Sequence, residues 1–225
     1  MGDFMEVRIS LQNLTDLSLF AGMSIEEIGE VLSKVNVIVK RFRKYDSIVL
    51  AGDSIENICI LLNGTVQMIK EDIWGDKSII ANIDKGTVFA ETFFGKSYDH
   101  SIVSFFASSE SEILMLPFGK FLDNIGSSQA NKKLICNFIS IMADNNIKLI
   151  EKNEILSKKT LRAKILAYLE QEAKRTGATK VTVPFSRTDL ANYLDADRSA
   201  LTRELTRMQN EGLIAFERNT FEVLK

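Results

Sequence analysis

Proline is almost missing from this 225-residue chain, with two in all, Pro117 and Pro184. None falls within residues 118–183, so nothing of that kind breaks a helical path there. Cysteine also numbers two, Cys59 and Cys136, far apart and each inside an apolar run ("ICILL", "LICNFI"). That excludes a disulfide framework, a metal knuckle or an iron–sulfur cluster, and both read as small buried hydrophobes. The single histidine, His100, leaves histidine-based catalysis short of candidates. No nucleophile–base pair and no phosphate-cradling loop stands out either, so an enzyme is not expected. No apolar run approaches the length of a membrane span. The N-terminal "MGDFMEVRIS" has no basic region followed by an apolar stretch, and position 6 is Glu where a myristoylated Gly2 would want Ser or Thr. A cytoplasmic protein that does not engage membranes is expected.

Charge of one sign is lacking overall, at net −2, but not locally. Residues 158–225 hold 13 Lys and Arg against 9 Asp and Glu, whereas residues 1–157 hold 15 against 21. The basic C-terminal third favours a polyanionic partner there.

"SIEEIGEVLSKV" (24–35) opens with Ser24 and Glu27 at capping-box spacing, and Ile25, Ile28, Val31 and Leu32 make one apolar helical face. From 36 to 117 the texture becomes short β-branched and aromatic runs with turn signals every eight to twelve residues, as in an all-β barrel or sandwich. "AGD" (51–53), "NGT" (63–65) and "KGT" (85–87) put Gly52, Gly64 and Gly86 where turns want positive φ.

Helical spacing returns at 118–125 and then runs from about 127 to 157. There Ile135, Phe138, Met142, Asn145, Leu149, Lys152 and Leu156 fall at alternating steps of three and four. Such a seam suits a helix lying on its own sheet or a dimer coiled coil with a polar register-setting Asn. Periodicity does not choose between them.

The last part reads helix ("LRAKILAYLEQEAKRT", closed by Gly177), short strand ("KVTVP"), helix, tight turn ("LDAD"), helix, hairpin around Arg218-Asn219. Ser186 and Asp189 make a second capping-box signal, and Asp197 is a good N-cap. This order is a winged helix-turn-helix. Leu190, Ala191 and Leu194 face inward from its first motif helix, and Leu201, Leu205 and Met208 from its second. Arg198, Ser199, Thr202, Arg203 and Thr206 are left outward, with Arg187 and Arg218 as further DNA-contact candidates. A major groove admits one helix, and Arg grips guanine O6 and N7 with two parallel hydrogen bonds. Asp195 stands where many such turns carry Gly, and Asp tolerates left-handed backbone.

These residues resemble the Crp/Fnr family of bacterial transcription regulators. The likeness lies in "LFAGMSIEEIGEVL", "AGDSIENICILLNGTV", "KGTVFAE" and "FSRTDLANYLDADRSALTRELTRMQNEGLI", and spans residues 10–225. It implies an α+β chain: a double-stranded β-roll of the cyclic-nucleotide-binding type over 1–126, a dimerisation helix over 127–157 and the winged helix over 158–225. It also implies a homodimer on an inverted-repeat operator of double-stranded DNA, and RNA polymerase as a partner if the protein activates. The dimer helix would use Ile135, Phe138, Met142, Asn145, Leu149 and Leu156. Family base readers align with Arg198, Ser199 and Arg203. Many members carry Glu at the middle position, so Ser199 implies an altered operator.

Members that bind cAMP use a Gly-Glu pair and then an Arg-Ser or Arg-Thr pair on the cyclic phosphate. This chain has Ala90-Glu91, and Ser101 where the Arg would stand. Leu149-Ile150 replaces the Thr-Ser expected to hold an adenine. A buried phosphate without its partner is costly, so the likeness implies a small effector other than cAMP. The expected pocket is lined by Phe89, Ala90, Glu91, Phe93, His100, Ser101, Phe138 and Met142, with Phe94, Phe105 and Phe106 nearby. No cofactor is assigned. The alternatives are haem on His100, with Met142 or Cys136 as second ligand, and a constitutive regulator whose roll is only a scaffold.

Overall fold

The computed structural model describes residues 10–72, 74–75, 77–91, 100–123, 128–183 and 185–224. Contacts divide the chain into two compact units, Met1–Met142 and Ala143–Lys225. The boundary falls inside a long helix rather than before it.

In the first unit, 3-10 turns at Leu11–Leu14 and Ser18–Phe20 lead into helix α1 (Ile25–Ser33). The capping box is complete. Ser24 Oγ accepts from the Glu27 N–H at 3.2 Å, and the Glu27 carboxylate accepts from the Ser24 N–H at 2.9 Å. Ile28 and Val31 are buried, but Ile25, expected on the same face, is 39% exposed. The buried face centres on the second turn, and Ile25 at the first position falls off its edge.

Among the described residues eight strands follow: β1 (Ile38–Phe42), β2 (Ser47–Val49), β3 (Ile58–Asn63), β4 (Val66–Glu71), β5 (Lys77–Ile83), β6 (Val88–Phe89), β7 (Ser104–Ala107) and β8 (Ser111–Leu116). They form two four-stranded antiparallel sheets, ordered β1-β8-β3-β6 and β2-β7-β4-β5. Successive side chains of a strand point to opposite faces, and two strands here are buried on both. Ile58 and Ile60 of β3, with Leu114 and Leu116 of β8, join a core shared with α1. Cys59 and Leu61, with Ile113 and Met115, join a second core that includes β2, β4, β6 and β7 residues. That is why "ICILL" and "EILMLP" are continuous rather than alternating. Gly64 turns β3 into β4 at φ +90, and Gly52 and Gly86 also take positive φ.

Helix α2 (Gly119–Asp123) precedes the long helix α3 (Gln129–Leu156). Polar side chains pin the first half of α3 to the roll. Asn131 Nδ2 donates to the Phe121 carbonyl at 3.0 Å, and Asn137 Nδ2 donates to those of Leu19 and Ala21. Lys133 Nζ lies 2.7 Å from Glu27 Oε1, and with the cap bond this holds the Glu27 carboxyl below its usual range.

The second unit contains α4 (Leu161–Thr176), β9 (Lys180–Thr182), α5 (Arg187–Tyr193), α6 (Arg198–Asn210), β10 (Ile214–Glu217) and β11 (Thr220–Val223), the strands ordered β10-β11-β9. Thr160 caps α4 by accepting from the Ala163 N–H, and Gly177 ends it in the left-handed conformation at φ +67. Leu190, Ala191, Leu194, Leu201, Leu205 and Met208 are all buried in one core with Ile165, Tyr168, Leu169 and Phe221. Each such aliphatic side chain contributes about 1.5–3 kcal/mol on burial. Among the described residues, no helix is long and apolar enough to cross a membrane.

Candidate nucleic-acid interface and effector region

Helix α5 starts on Ser186, whose Oγ accepts from the Asp189 N–H at 3.1 Å and donates to Asp189 Oδ2 at 2.6 Å. The expected reciprocal box is thus replaced by a hydroxyl–carboxylate bond. The helix ends at Leu194, whose carbonyl accepts from Lys164 Nζ of α4 at 3.0 Å. A cation at a helix C-terminus satisfies orphan carbonyls and complements the helix dipole. Asp195 then takes φ +51, the left-handed turn position that its side chain tolerates. Asp197 Oδ1 caps α6, accepting from the Ser199 and Ala200 N–H groups at 2.8 and 3.0 Å and from Ser199 Oγ. These bonds, led by that from Ser199 Oγ, hold the Asp197 carboxyl below its usual range.

With Leu201, Leu205 and Met208 buried, the opposite face of α6 presents Arg198, Ser199, Thr202, Arg203 and Thr206, all exposed. Among the described residues neither Arg198 nor Arg203 makes an ion pair. Glu204, the nearest acid in sequence to Arg203, is taken by Arg162 at 2.6 Å and lies 3.8 Å from Arg207. The hydroxyls of this face are committed as donors: Ser199 to Asp197, Thr202 to the Arg198 carbonyl at 2.9 Å, and Thr206 to the Thr202 carbonyl at 3.0 Å. They remain available as acceptors.

Arg162 is a residue the sequence reading missed. From the first turn of α4 its Nε donates to Glu204, while Nη1 and Nη2 donate to both oxygens of Glu211 at 2.6 and 3.0 Å. This fork fixes the C-terminal half of α6 and neutralises two carboxylates on it. A run of five donors in a rigid plane is suited to that, but nothing in the local sequence pattern pairs positions 162 and 211.

Arg218 is exposed at the turn between β10 and β11, with φ +51. Arg187, grouped with the outward DNA-contact candidates, is placed otherwise. Its guanidinium lies over the rings of Phe216 and Phe221, and Nη2 donates to the Arg218 carbonyl.

The expected effector residues do not converge. Phe89 and Phe105 pack together, ring centroids 5.2 Å apart, in the core between the sheets. Phe138 packs on Phe118 at 4.1 Å, against the other core. The two aromatics named for one pocket thus fill separate cores, because β3 and β8 stand between them. Phe106, on the other face of β7, is half-buried. Ala90 is buried at φ +63, a left-handed conformation that favours Gly. Ser101 is buried and its Oγ donates to the Val103 carbonyl at 2.6 Å, while its backbone pairs with Gly52 and Asp53. Its hydroxyl serves a turn. Glu91 and Met142 are half-buried and His100 is exposed. Phe93 and Phe94 lie outside the described residues. Cys59 is buried, its thiol pushed up to about 12 by desolvation, but Cys136 is exposed, contrary to expectation, because it sits on the outer side of α3. Among the described residues no cluster of three metal-ligating side chains occurs.

The residues expected to form the dimer seam are largely covered within the chain. Ile135 is buried and Phe138 is packed in its own core, while Met142, Asn145 and Leu156 are half-buried. Of the apolar seam residues only Leu149 is exposed, at 65%. The outward row lies one residue on: Cys136, Ile139, Ala143, Asn146, Ile150 and Asn153, all exposed and again at steps of three and four.

A model described as a Crp-like helix-turn-helix domain matches residues 163–225, and one described as a cyclic nucleotide-binding domain matches residues 39–127. This chain belongs to the Crp/Fnr family. It is a DNA-binding transcription regulator of that type. Among relatives, Electron transport regulator A of Shewanella oneidensis is 25% identical over 194 residues, covering 81% of this chain and 74% of the relative. The cAMP-activated global transcriptional regulator Vfr of Pseudomonas aeruginosa is 23% identical over 191 residues, covering 82% and 88%. Solved structures share the fold. FixK2 from Bradyrhizobium japonicum aligns at TM-score 0.52 and 18% identity over 85% of this chain and 94% of its own. The c-di-GMP responsive regulator CLP of Xanthomonas campestris aligns at TM-score 0.60 and 16% identity over 90% and 100%.

Proposed function

We propose that this family member acts as a cytoplasmic homodimer on an inverted-repeat operator, with Arg198, Ser199 and Arg203 of each α6 at base edges. Thr202, Thr206 and Arg218 sit at flanking phosphates. The observation that carries this is the pair of exposed arginines on α6, free of ion pairs among the described residues, above a fully buried stripe. Each can meet guanine with two bonds, worth about 1–3 kcal/mol of discrimination. Ser199 offers an acceptor without the charge of Glu, so the operator differs at the base read there. Dimerisation uses the outward row of α3 around Ile139, Ala143 and Ile150, with Asn146 setting the register.

The effector is a small molecule other than cAMP. Ser101 stands where a phosphate-binding Arg is wanted, and its hydroxyl is already spent on the Val103 carbonyl. RNA polymerase is a partner only if the protein activates.

Selection from a random duplex pool identifies the operator. Arg203→Ala then abolishes preference for it over random DNA while salt-sensitive binding to both persists. Equal binding of the parent protein to selected and random duplexes counts against the proposal. Excess cAMP leaves the unfolding midpoint unchanged, since only a ligand of the native state raises it. A raised midpoint overturns the effector assignment.

A further inference from the structure

Arg187 opens α5 directly after the Ser186 cap, a place from which a cation would reach a phosphate. Its side chain runs the other way. The guanidinium carbon lies 4.9 Å from the centre of the Phe221 ring and 5.3 Å from that of Phe216. Those two residues are cross-strand partners in β10 and β11, their rings stacked at 5.5 Å. Nη2 donates to the carbonyl of Arg218 in the turn between the same strands. One fork therefore touches both strands of the wing and the turn that joins them. Val183 donates its N–H to the Asn219 carbonyl at 2.8 Å, so both residues of the turn are held through their carbonyls.

The arrangement is costly for a cation. Nη1 is buried and has no hydrogen-bond partner among the described residues. Desolvation accordingly holds the Arg187 guanidinium below its ordinary value. Packing alone would be served as well by Met or Leu. What an apolar side chain cannot do is bond the Arg218 carbonyl. Arg218 holds φ +51, a conformation a non-glycine residue keeps when its surroundings over-determine it.

We propose that Arg187 is a positioning residue for the wing: it fixes the Arg218 turn so that the exposed Arg218 side chain meets a DNA phosphate, and it does not touch DNA itself. This rests on the reading of Arg218 as a phosphate contact.

The test titrates the full chain with a short mixed-sequence duplex at several salt concentrations. The slope of log K against log salt counts phosphate contacts, about 0.9 for each. Arg218→Ala lowers the slope by the contacts it removes. Arg187→Met lowers it by the same amount, and the double substitution by no more than either alone. Arg187→Lys follows Arg187→Met, because an ammonium keeps the charge but not the fork. Circular dichroism and thermal unfolding establish that each variant is folded. If Arg187→Met does not fold, Arg187→Lys and its double with Arg218→Ala carry the comparison. Additive slopes, or a parent-like Arg187→Lys, overturn the inference alone and return Arg187 to the phosphates. An unchanged slope in Arg218→Ala overturns the phosphate reading of Arg218 and this inference with it.

Discussion

Arg162 holds Glu211 by two parallel hydrogen bonds of 2.6 and 3.0 Å, tying the start of α4 to the end of α6. Bidentate geometry fixes orientation as well as distance. The same side chain reaches Glu204, so one cation satisfies two carboxylates, one on α6 and one at its C-cap. Arg162→Met is therefore expected to lower both the unfolding midpoint and the affinity for duplex DNA, since two carboxylates then face the polyanion. Arg162→Lys recovers the charge but only part of the midpoint.

The pair also sets a pH dependence. The hydrogen bond from Arg162 holds the folded Glu211 carboxyl below its ordinary value, so its contribution is present above the unfolded value of about 4.3 and lost as pH falls through the folded one. The Arg162 value is raised, so its side titrates only in strong base. The midpoint difference between parent and Arg162→Met should be flat from neutral pH down to weak acid, then shrink below about pH 4. A difference that grows on acidification would contradict this assignment.

Gly64 and Gly52 both take φ near +90, yet they should respond unequally to Ala. A Cβ on Gly64 would lie 2.3 Å from the Glu110 carbonyl oxygen and 2.8 Å from Ser111 Cα, whereas nothing lies within 4 Å of one on Gly52. Gly52→Ala meets only the backbone penalty, about 1–2 kcal/mol. Gly64→Ala adds overpacking against backbone, for about 3 kcal/mol or more in all. Urea unfolding of the two variants measures the gap, and equal losses would show that the β3–β4 turn relaxes.

Asp195 tests the turn of the reading motif. At φ +51 and exposed, it should accept Gly with little change in stability, whereas Asp195→Val should cost about 1–2 kcal/mol because a β-branched residue resists left-handed backbone. Thermal unfolding separates the two. A Val variant as stable as the Gly variant would mean that the turn has another conformation open to it.

Much of this was legible in the sequence because it is local. Caps at Ser24, Asp197 and Gly177, the left-handed turn at Asp195 and the inward stripe of α6 depend on residues within a few positions of one another. The order of β-rich region, long helix and winged helix followed from local pattern, and the family likeness added the double-stranded β-roll. What was not legible depends on partners far along the chain. Arg162 meets Glu211, and Arg187 meets Phe216 and Phe221, only after the units fold. The Phe89 and Phe138 assignments failed for a related reason: aromatic content indicates burial but not which side of β3 and β8 a ring occupies. The exposed row of α3 lies one residue beyond the expected seam because Ile135/Phe138 and Cys136/Ile139 offer equally spaced apolar rows. Only packing against Phe118 decides which row turns inward.

That slip makes the dimer testable. Ile139 is 60% exposed and Ile150 61%, whereas Phe138 packs on Phe118 with the rings tilted. If α3 pairs through the outward row, Ile139→Ser removes an apolar side chain from each of two subunits. At about 1.5–3 kcal/mol per buried Ile, that loss weakens association by two to four orders of magnitude while the monomer stays folded. Phe138→Ser should instead destabilise the roll, by up to about 3 kcal/mol for a half-buried ring packed on the core, with little direct effect on pairing. Sedimentation equilibrium beside thermal unfolding distinguishes them. The first variant shifts the dissociation constant and keeps its midpoint at low concentration, and the second does the reverse. The opposite result would restore the seam through Ile135 and Phe138 and require the roll to repack.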